Sequence, residues 1–355
     1  MKILVIHPGH AFSTADVHDG LVWGLQANGA TVYSYPLMDE LISARALIRA
    51  AEALNFVAQD RLDVHMYAAR GIPGVVMSKE ITHVIAVTGS NVPWQIPITL
   101  RRGGAHLTLL CTESPYLTRT REARDAVLYD TVLTHERRAT HLLADHSGGP
   151  AHYLPHAYHP ARHTPDGPRA APCDVFFCGT RFPERAALLD AIDWDGIAMC
   201  DRTVSITPDQ DVEAALSQVI PNAEAAAHYR SAAISLNHHR TSADVLDRAH
   251  ISDPAESLGP RTYEIAACGG FQLCDDSRPE LDDIFQGTVP TYDPAQPATL
   301  ERQIRHYLSV PDTRAAMAAA QRQAVQGHGW DARARIVLDI LASPRRGPVF
   351  AVGAT

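Results

Sequence analysis

The chain has 355 residues, 46% of them apolar and 20% charged, and a formal net charge of −9. That length exceeds one ordinary core and fits two globular domains, while the negative balance argues against broad electrostatic binding to nucleic acid, which needs many Lys/Arg–phosphate contacts. No apolar run approaches the roughly 20 residues that span a bilayer, and the N-terminus opens on a strand-like run without a signal's layout, so a cytoplasmic protein is expected.

Lys2–Ile6 is a short β-branched run that reads as a buried parallel strand. The loop from His7 to Ser13 follows it, then a helix to about Ala27, stopped by Gly29. Thr31–Tyr35 reads as the second strand and Met38–Ala58 as a long helix. Further strands are predicted at Thr82–Thr88, Leu107–Cys111 and Thr131–Thr134. Strands and helices alternating at this spacing imply right-handed βαβ units on a parallel sheet. Residues Pro160–Pro172 hold four prolines and a glycine with little apolar content, which marks a linker.

The pattern then restarts. Asp174–Cys178 reads as a new first strand, Gly179–Arg181 as its turn, and Pro183–Ile192 as a helix with proline at its start. Strands are expected at Gly196–Cys200, Ala232–Leu236, Gly270–Cys274 and Thr288–Thr291. Helices are expected at Pro260–Cys268, Ala298–Leu308, Pro311–Gln326 and Asp331–Leu341. The fold class is therefore α/β, two Rossmann-like parallel-sheet domains facing across a cleft, where open sheets place ligands at their strand carboxyl ends.

Six cysteines, Cys111, Cys173, Cys178, Cys200, Cys268 and Cys274, form no close C-x-x-C pair, so reduced, mostly buried thiols are expected. Nineteen histidines are present without H-E-x-x-H spacing, and the adjacent His238 and His239 would point to opposite faces of a strand. No metal site is expected. A nicotinamide dehydrogenase is disfavoured because the first strand ends in His7-Pro-Gly-His10 rather than G-x-G-x-x-G.

Ser257–Phe271 carries the chemistry. Gly259 frees the backbone, Pro260 suits the first helical position, and the N–H groups behind it can receive a diphosphate. Arg261 adds a charge-assisted contact one turn in, and Glu264 lies on the same helical face, where a carboxylate suits paired ribose hydroxyls. Gly269-Gly270 close the helix. Taken one at a time, these residues equally describe an amphipathic helix with a surface salt bridge and a glycine cap.

As a set, Arg261-x-Tyr263-Glu264-x-x-Ala267-Cys268-Gly269-Gly270-Phe271, followed by Asp275 and Pro279–Leu281, resembles the donor-binding signature of family-1-type glycosyltransferases, nearest to the spore-maturation-protein-like branch. The likeness extends to Leu300–Leu308, Pro311–Arg314, His328–Trp330, Tyr229–Asn237, Tyr153–Pro155 and Phe177–Thr180, most of residues 150 to 341. It implies a GT-B architecture with these limits: an acceptor-side domain at 1–160, a linker at 161–172, a donor domain at 173–330, and a closing helix and tail at 331–355 that packs back on the first domain. It also implies a nucleotide-diphosphate sugar as substrate, no cofactor and no metal requirement. Donor contacts fall on Gly179, Thr180, Arg181, Asn237, Arg240, Gly259, Arg261, Tyr263, Glu264 and Gly269. Many relatives carry a second glutamate eight positions after the first, and the position after Glu264 is Gln272.

On the acceptor side, His10, Asp16, His18 and Glu113 are candidates to take a proton from an acceptor hydroxyl. Each has a plainer reading: Asp16 as a first-turn acid, His18 as a helix-surface residue, Glu113 as a loop carboxylate. Other functions on the same fold are a sugar-nucleotide epimerase or hydrolase, a non-catalytic nucleotide-binding protein, and a phage-type transferase acting on DNA bases, for which Arg119–Arg124 and Arg137-Arg138 would supply a phosphate track.

Overall fold

The structure, a computed structural model, describes residues 1–10, 13–54, 63–114, 121–204, 218–240 and 255–343. Two parallel sheets organise it. The first runs β2 (Thr31–Tyr35), β1 (Lys2–Ile6), β3 (His83–Val87), β4 (His106–Cys111), β5 (Thr131–Thr134), β6 (Ala151–Tyr153). The second runs β11 (Thr291–Tyr292), β10 (Gln272–Asp275), β9 (Ala232–Asn237), β7 (Cys173–Thr180), β8 (Met199–Val204). In each, the first strand in chain order is central: Ile3 pairs Val32 on one side and His83 on the other, and Val175 pairs Met199 and Ile234. This is why β1 and β7 carry dense apolar runs, since a parallel strand covered on both faces has no solvent side.

Several strands follow the sequence reading closely: Thr31–Tyr35, at the edge of the first sheet, and Thr131–Thr134 coincide with it. The edges of the second sheet differ. The expected strand at Gly196–Cys200 lies instead at Met199–Val204, because Gly196 (φ +72°) makes the turn and the strand runs on through exposed Asp201 and Arg202. An edge strand tolerates charges that a search for apolar runs rejects. The strand expected at Thr288–Thr291 is the two-residue β11, and β6 was unanticipated. The long helix ends at Ala53, and part of its expected span, 55–58, lies outside the described residues. All six cysteines are free, and no helix among the described residues is long and apolar enough to cross a membrane.

The final helix, Trp330–Ala342, packs on the first domain. Trp330, Ala334, Val337 and Leu341 join Ile3, Val5 and Leu21 in one buried cluster. Two glycines of helix α1 (Ser13–Ala27) make the approach possible: a Cβ on Gly20 would lie 2.2 Å from the Trp330 ring, and one on Gly24 would lie 2.3 Å from the Trp330 carbonyl oxygen. The connection between the domains is also pinned. Arg230, 7% exposed, donates to the carbonyls of Thr164, Pro168 and Arg162, so the proline-rich linker is tied to the second domain. Arg333 donates to the carbonyls of Pro155 and His156 just before it. Replacing Gly24 by Ala therefore forces backbone apart and is expected to cost about 1–3 kcal/mol in urea unfolding followed by circular dichroism. An unchanged midpoint would mean the helices part without cost.

Candidate active site

A cleft of about 720 Å³ lies between the carboxyl ends of the two sheets, a size suited to a small-molecule ligand. Its second-domain wall is built around the carboxyl end of β7. Gly179 has φ +128°, a conformation open to glycine. A Cβ there would lie 2.5 Å from Arg261 Nη2 and 3.6 Å from Arg185 Nη1, so the missing side chain is the space in which two guanidinium groups meet. Arg185 comes from helix α8 (Pro183–Asp190), whose register turns it inward together with Leu188 and Leu189. It donates to the carbonyls of Thr180 (2.9 Å) and His238 (2.8 Å), and its buried Nε has no partner among the described residues. Burial, then the neighbouring Arg261 charge, push Arg185 down to about 9. Arg261 and Arg185 stand over the Phe177 ring, and Arg185 and Arg240 over Phe182. Three cations thus rest on two phenyl faces, an attractive arrangement for a desolvated cation.

Arg261 opens the Pro260–Ala267 helix, whose N-cap, Gly259, offers no side-chain oxygen to the first N–H groups. Those donors and the helix dipole face the same region as the guanidinium pair. Glu264, one turn on and 7% exposed, accepts from Asn222 Nδ2 at 3.0 Å, and burial raises its pKa. Asn237 and Thr262 are hydrogen-bonded at 2.9 Å beneath the helix and fix it to β9.

Among the described residues, one cluster has the composition of a metal site: His239, Cys274 and Asp275. Its ligand atoms are already engaged. Asp275 accepts from the backbone N–H and the Nδ1–H of His239 through one oxygen, and from Ser277 through the other. His239 Nε2 takes the Thr262 hydroxyl at 3.2 Å. The carboxylate is held far below its ordinary range by His239, His238 and Ser277, although burial opposes this. The trio is a hydrogen-bonded brace between β10 and the donor helix, and a metal would have to break it.

The first-domain wall comes from the loops after β1, β3, β4 and β5. Thr88 sits there with φ +59°, strained for a β-branched residue, and its hydroxyl accepts from Ser90 N. Glu122 is buried beneath the loop after β4, where Thr112 N, Glu113 N and the Thr112 hydroxyl converge on its carboxyl. Burial pushes its pKa up to about 8. Asp16 is pushed up to about 7 by burial and by Glu264, against the pull of Arg162. A chain of contacts links it across the cleft: Asp16 to Arg162 (2.8 Å), Arg162 to Asn222 (3.3 Å), Asn222 to Glu264 (3.0 Å).

The cleft therefore gathers His10, Asp16, Glu113, Gly179, Thr180, Asn237, Arg240, Gly259, Arg261 and Glu264 from the sequence expectations. Four do not reach it. His18, expected on a helix surface or at substrate, is buried against the sheet, bonded to Ser34 and Asp19. Arg181 turns outward to Asp190 and Asp201. Tyr263 is wholly buried and stacks on His328. Gly269 caps the far end of the helix with φ +74°. Gln272 is likewise buried, donating to the Thr262 carbonyl. Counting eight positions back from Glu264 instead falls on Glu256, whose N–H meets Glu136 across the domain junction. Arg185, His135, Arg162 and Asn222 were missed, for none stands in a sequence motif. Of the basic cluster, 119–120 lie outside the described residues, Arg124 is paired with Asp125, and Arg137 with Asp283 and Glu256.

The family described as "Glycosyl transferase-like" matches residues 186–339. No curated protein matches the chain. Among solved structures, HepE of Anabaena in complex with UDP-glucose is 13% identical with a TM-score of 0.61, over 97% of this chain and 100% of that one. Trehalose-6-phosphate synthase OtsA is 11% identical (TM-score 0.61, 97% and 100%). Sucrose-phosphate synthase of Thermosynechococcus elongatus is 12% identical (TM-score 0.60, 96% and 98%). The chain has the GT-B fold over its length and carries a glycosyl transferase-like domain in its second half.

Because folded Glu122 binds its proton up to about pH 8 and an unfolded glutamate only to 4.5, its contribution to stability is full below 4.5 and is lost as pH rises through 8. Glu122→Gln, which keeps the shape of the protonated acid, is expected to flatten the fall of melting temperature across that window. An unaltered slope would show that Glu122 is ionised throughout.

Proposed function

We propose that the protein transfers a sugar from a nucleoside-diphosphate sugar to an acceptor hydroxyl. The observation that carries this reading is the Arg185–Arg261 pair, two like charges held together at the cleft floor over Gly179 with a buried Arg185 Nε still unpartnered. Like charges so placed repel, and burial of an unsatisfied donor adds to the cost. A dianionic diphosphate relieves both, lying between the guanidinium groups and the free N–H groups of the Pro260–Ala267 helix. Glu264 stands one turn away to accept the ribose hydroxyls. The Arg261–Phe271 motif supports the spore-maturation-protein-like branch.

In the reaction the bond from the anomeric carbon to the diphosphate oxygen breaks and a bond to the acceptor oxygen forms. The negative charge gathering on the leaving diphosphate is met by Arg185, Arg261 and the helix dipole, so positive charge is supplied by the protein itself. The acceptor proton passes to a first-domain base, for which His10, Asp16 and Glu113, all lining the cleft, are the candidates.

Two variants test the donor site. Glu264→Ala is expected to weaken nucleoside-diphosphate binding about tenfold to a hundredfold by calorimetry, through loss of hydrogen bonds to a charged group. Gly179→Ala is expected to abolish the thermal stabilisation given by the nucleotide and, because a side chain at φ +128° is strained and its methyl meets Arg261, to lower the melting temperature of the free protein as well. Wild-type affinity in both variants would remove the donor site from this wall.

A further inference from the structure

The first-domain wall has hydrogen-bond acceptors waiting for donors. His135 follows β5 and is 3% exposed. Its Nδ1 faces the carbonyl oxygen of Leu154, which has no proton to give, so Nδ1 carries the ring proton and Nε2 presents a bare lone pair. That nitrogen is buried and meets no partner among the described residues. The ring is wedged against His156, with centroids 3.8 Å apart, and edge-on to Trp330. Burial keeps both imidazoles neutral, His135 down to about 4 and His156 well below its ordinary value. Elsewhere on this wall the carboxyl groups of Asp16 and Glu113 each face a guanidinium from outside this domain: Arg162 at 2.8 Å and Arg240 at 3.7 Å.

Building on the transferase reading above, we propose that the acceptor is a polyhydroxyl compound without an anionic group, neutral or amine-bearing, one of whose O–H or N–H groups donates to His135 Nε2. A phosphate or carboxylate oxygen brings another lone pair to that nitrogen, meets guanidinium groups already held by Asp16 and Glu113, and leaves the buried acceptor unpaired. Arg185 and Arg261, the cations that face the donor diphosphate, lie on the opposite wall. Among the described residues, the first-domain lining consists of hydroxyls, neutral imidazoles, carboxylates and a few apolar groups. Selection against anions is thus built in by charge, and selection for a donor hydrogen by the fixed tautomer of one histidine.

The test uses the full chain with the nucleotide sugar whose nucleoside diphosphate stabilises it, and measures nucleotide release with matched acceptor sets: a sugar or polyol, its amino form, its phosphate ester and its uronic acid. The neutral or amino member of a set is expected to raise turnover at least about tenfold more than its phosphate or carboxylate counterpart. His135→Phe is expected to raise the acceptor KM about tenfold or more while nucleotide affinity stays within about twofold of wild type. Equal or better use of the anionic members overturns the proposal, as does an acceptor KM indifferent to His135. With nucleotide bound, failure of every neutral and amino member overturns it as well. Failure to bind any nucleoside diphosphate instead condemns the transferase reading beneath it.

Discussion

Two guanidinium groups brought together over a glycine are the constraint on which the cleft depends. Arg185 arrives from one helix and Arg261 from the start of another; Arg261 occupies the space that a side chain at 179 would fill, and Arg185 lies at its edge. Neither position is cheap. Arg185 is buried, spends two of its nitrogens on backbone carbonyls and retains an idle third. A protein selected for stability alone would place a carboxylate between them. The phenyl faces of Phe177 and Phe182, together with the dipole of a short helix, hold the arrangement open for an anion that arrives from solution.

The rest of the molecule fixes that wall against the other one. The closing helix returns to the first domain through two glycines, and Arg230 and Arg333 bind the backbone of the connecting segment by its carbonyls. The joint is therefore a braced strap with defined contacts rather than a free tether. Through it, Arg162 touches Asp16 on the acceptor wall and Asn222 on the donor wall, and Asn222 touches Glu264. A ligand that takes hold of Glu264 competes for Asn222, and the effect passes along this chain to the carboxylate facing the acceptor. The elements that carry chemistry and the elements that hold the domains together are in part the same residues.

Much of this was legible in the amino-acid sequence. The central strands are dense apolar runs because both their faces are covered, and the Gly259-Pro260 start of the donor helix announces itself by backbone chemistry alone. Edge strands were harder: β8 carries Asp201 and Arg202, and its apolar signal is weak. Side-chain direction was hardest. Arg181 and Arg185 are one helical turn apart near the same strand end, yet one faces solvent carboxylates and the other the cleft, a difference set by the register of helix α8 against the sheet. His18 and Tyr263 had the right chemistry on the wrong face. His135, Arg162 and Asn222 sit in no motif, and their meaning comes from contacts between distant segments. The glutamate spacing was readable, but counting forward from Glu264 leads into the core at Gln272, and counting back leads to Glu256.

The most direct test is a crystal structure of the full chain with a bound nucleoside diphosphate. The account predicts the diphosphate between Arg185 and Arg261, its oxygens within hydrogen-bond distance of both guanidinium groups and of the first N–H groups of the Pro260–Ala267 helix, and the ribose hydroxyls on Glu264. A nucleotide bound elsewhere, with Arg185 and Arg261 still facing each other across an empty space, would contradict it.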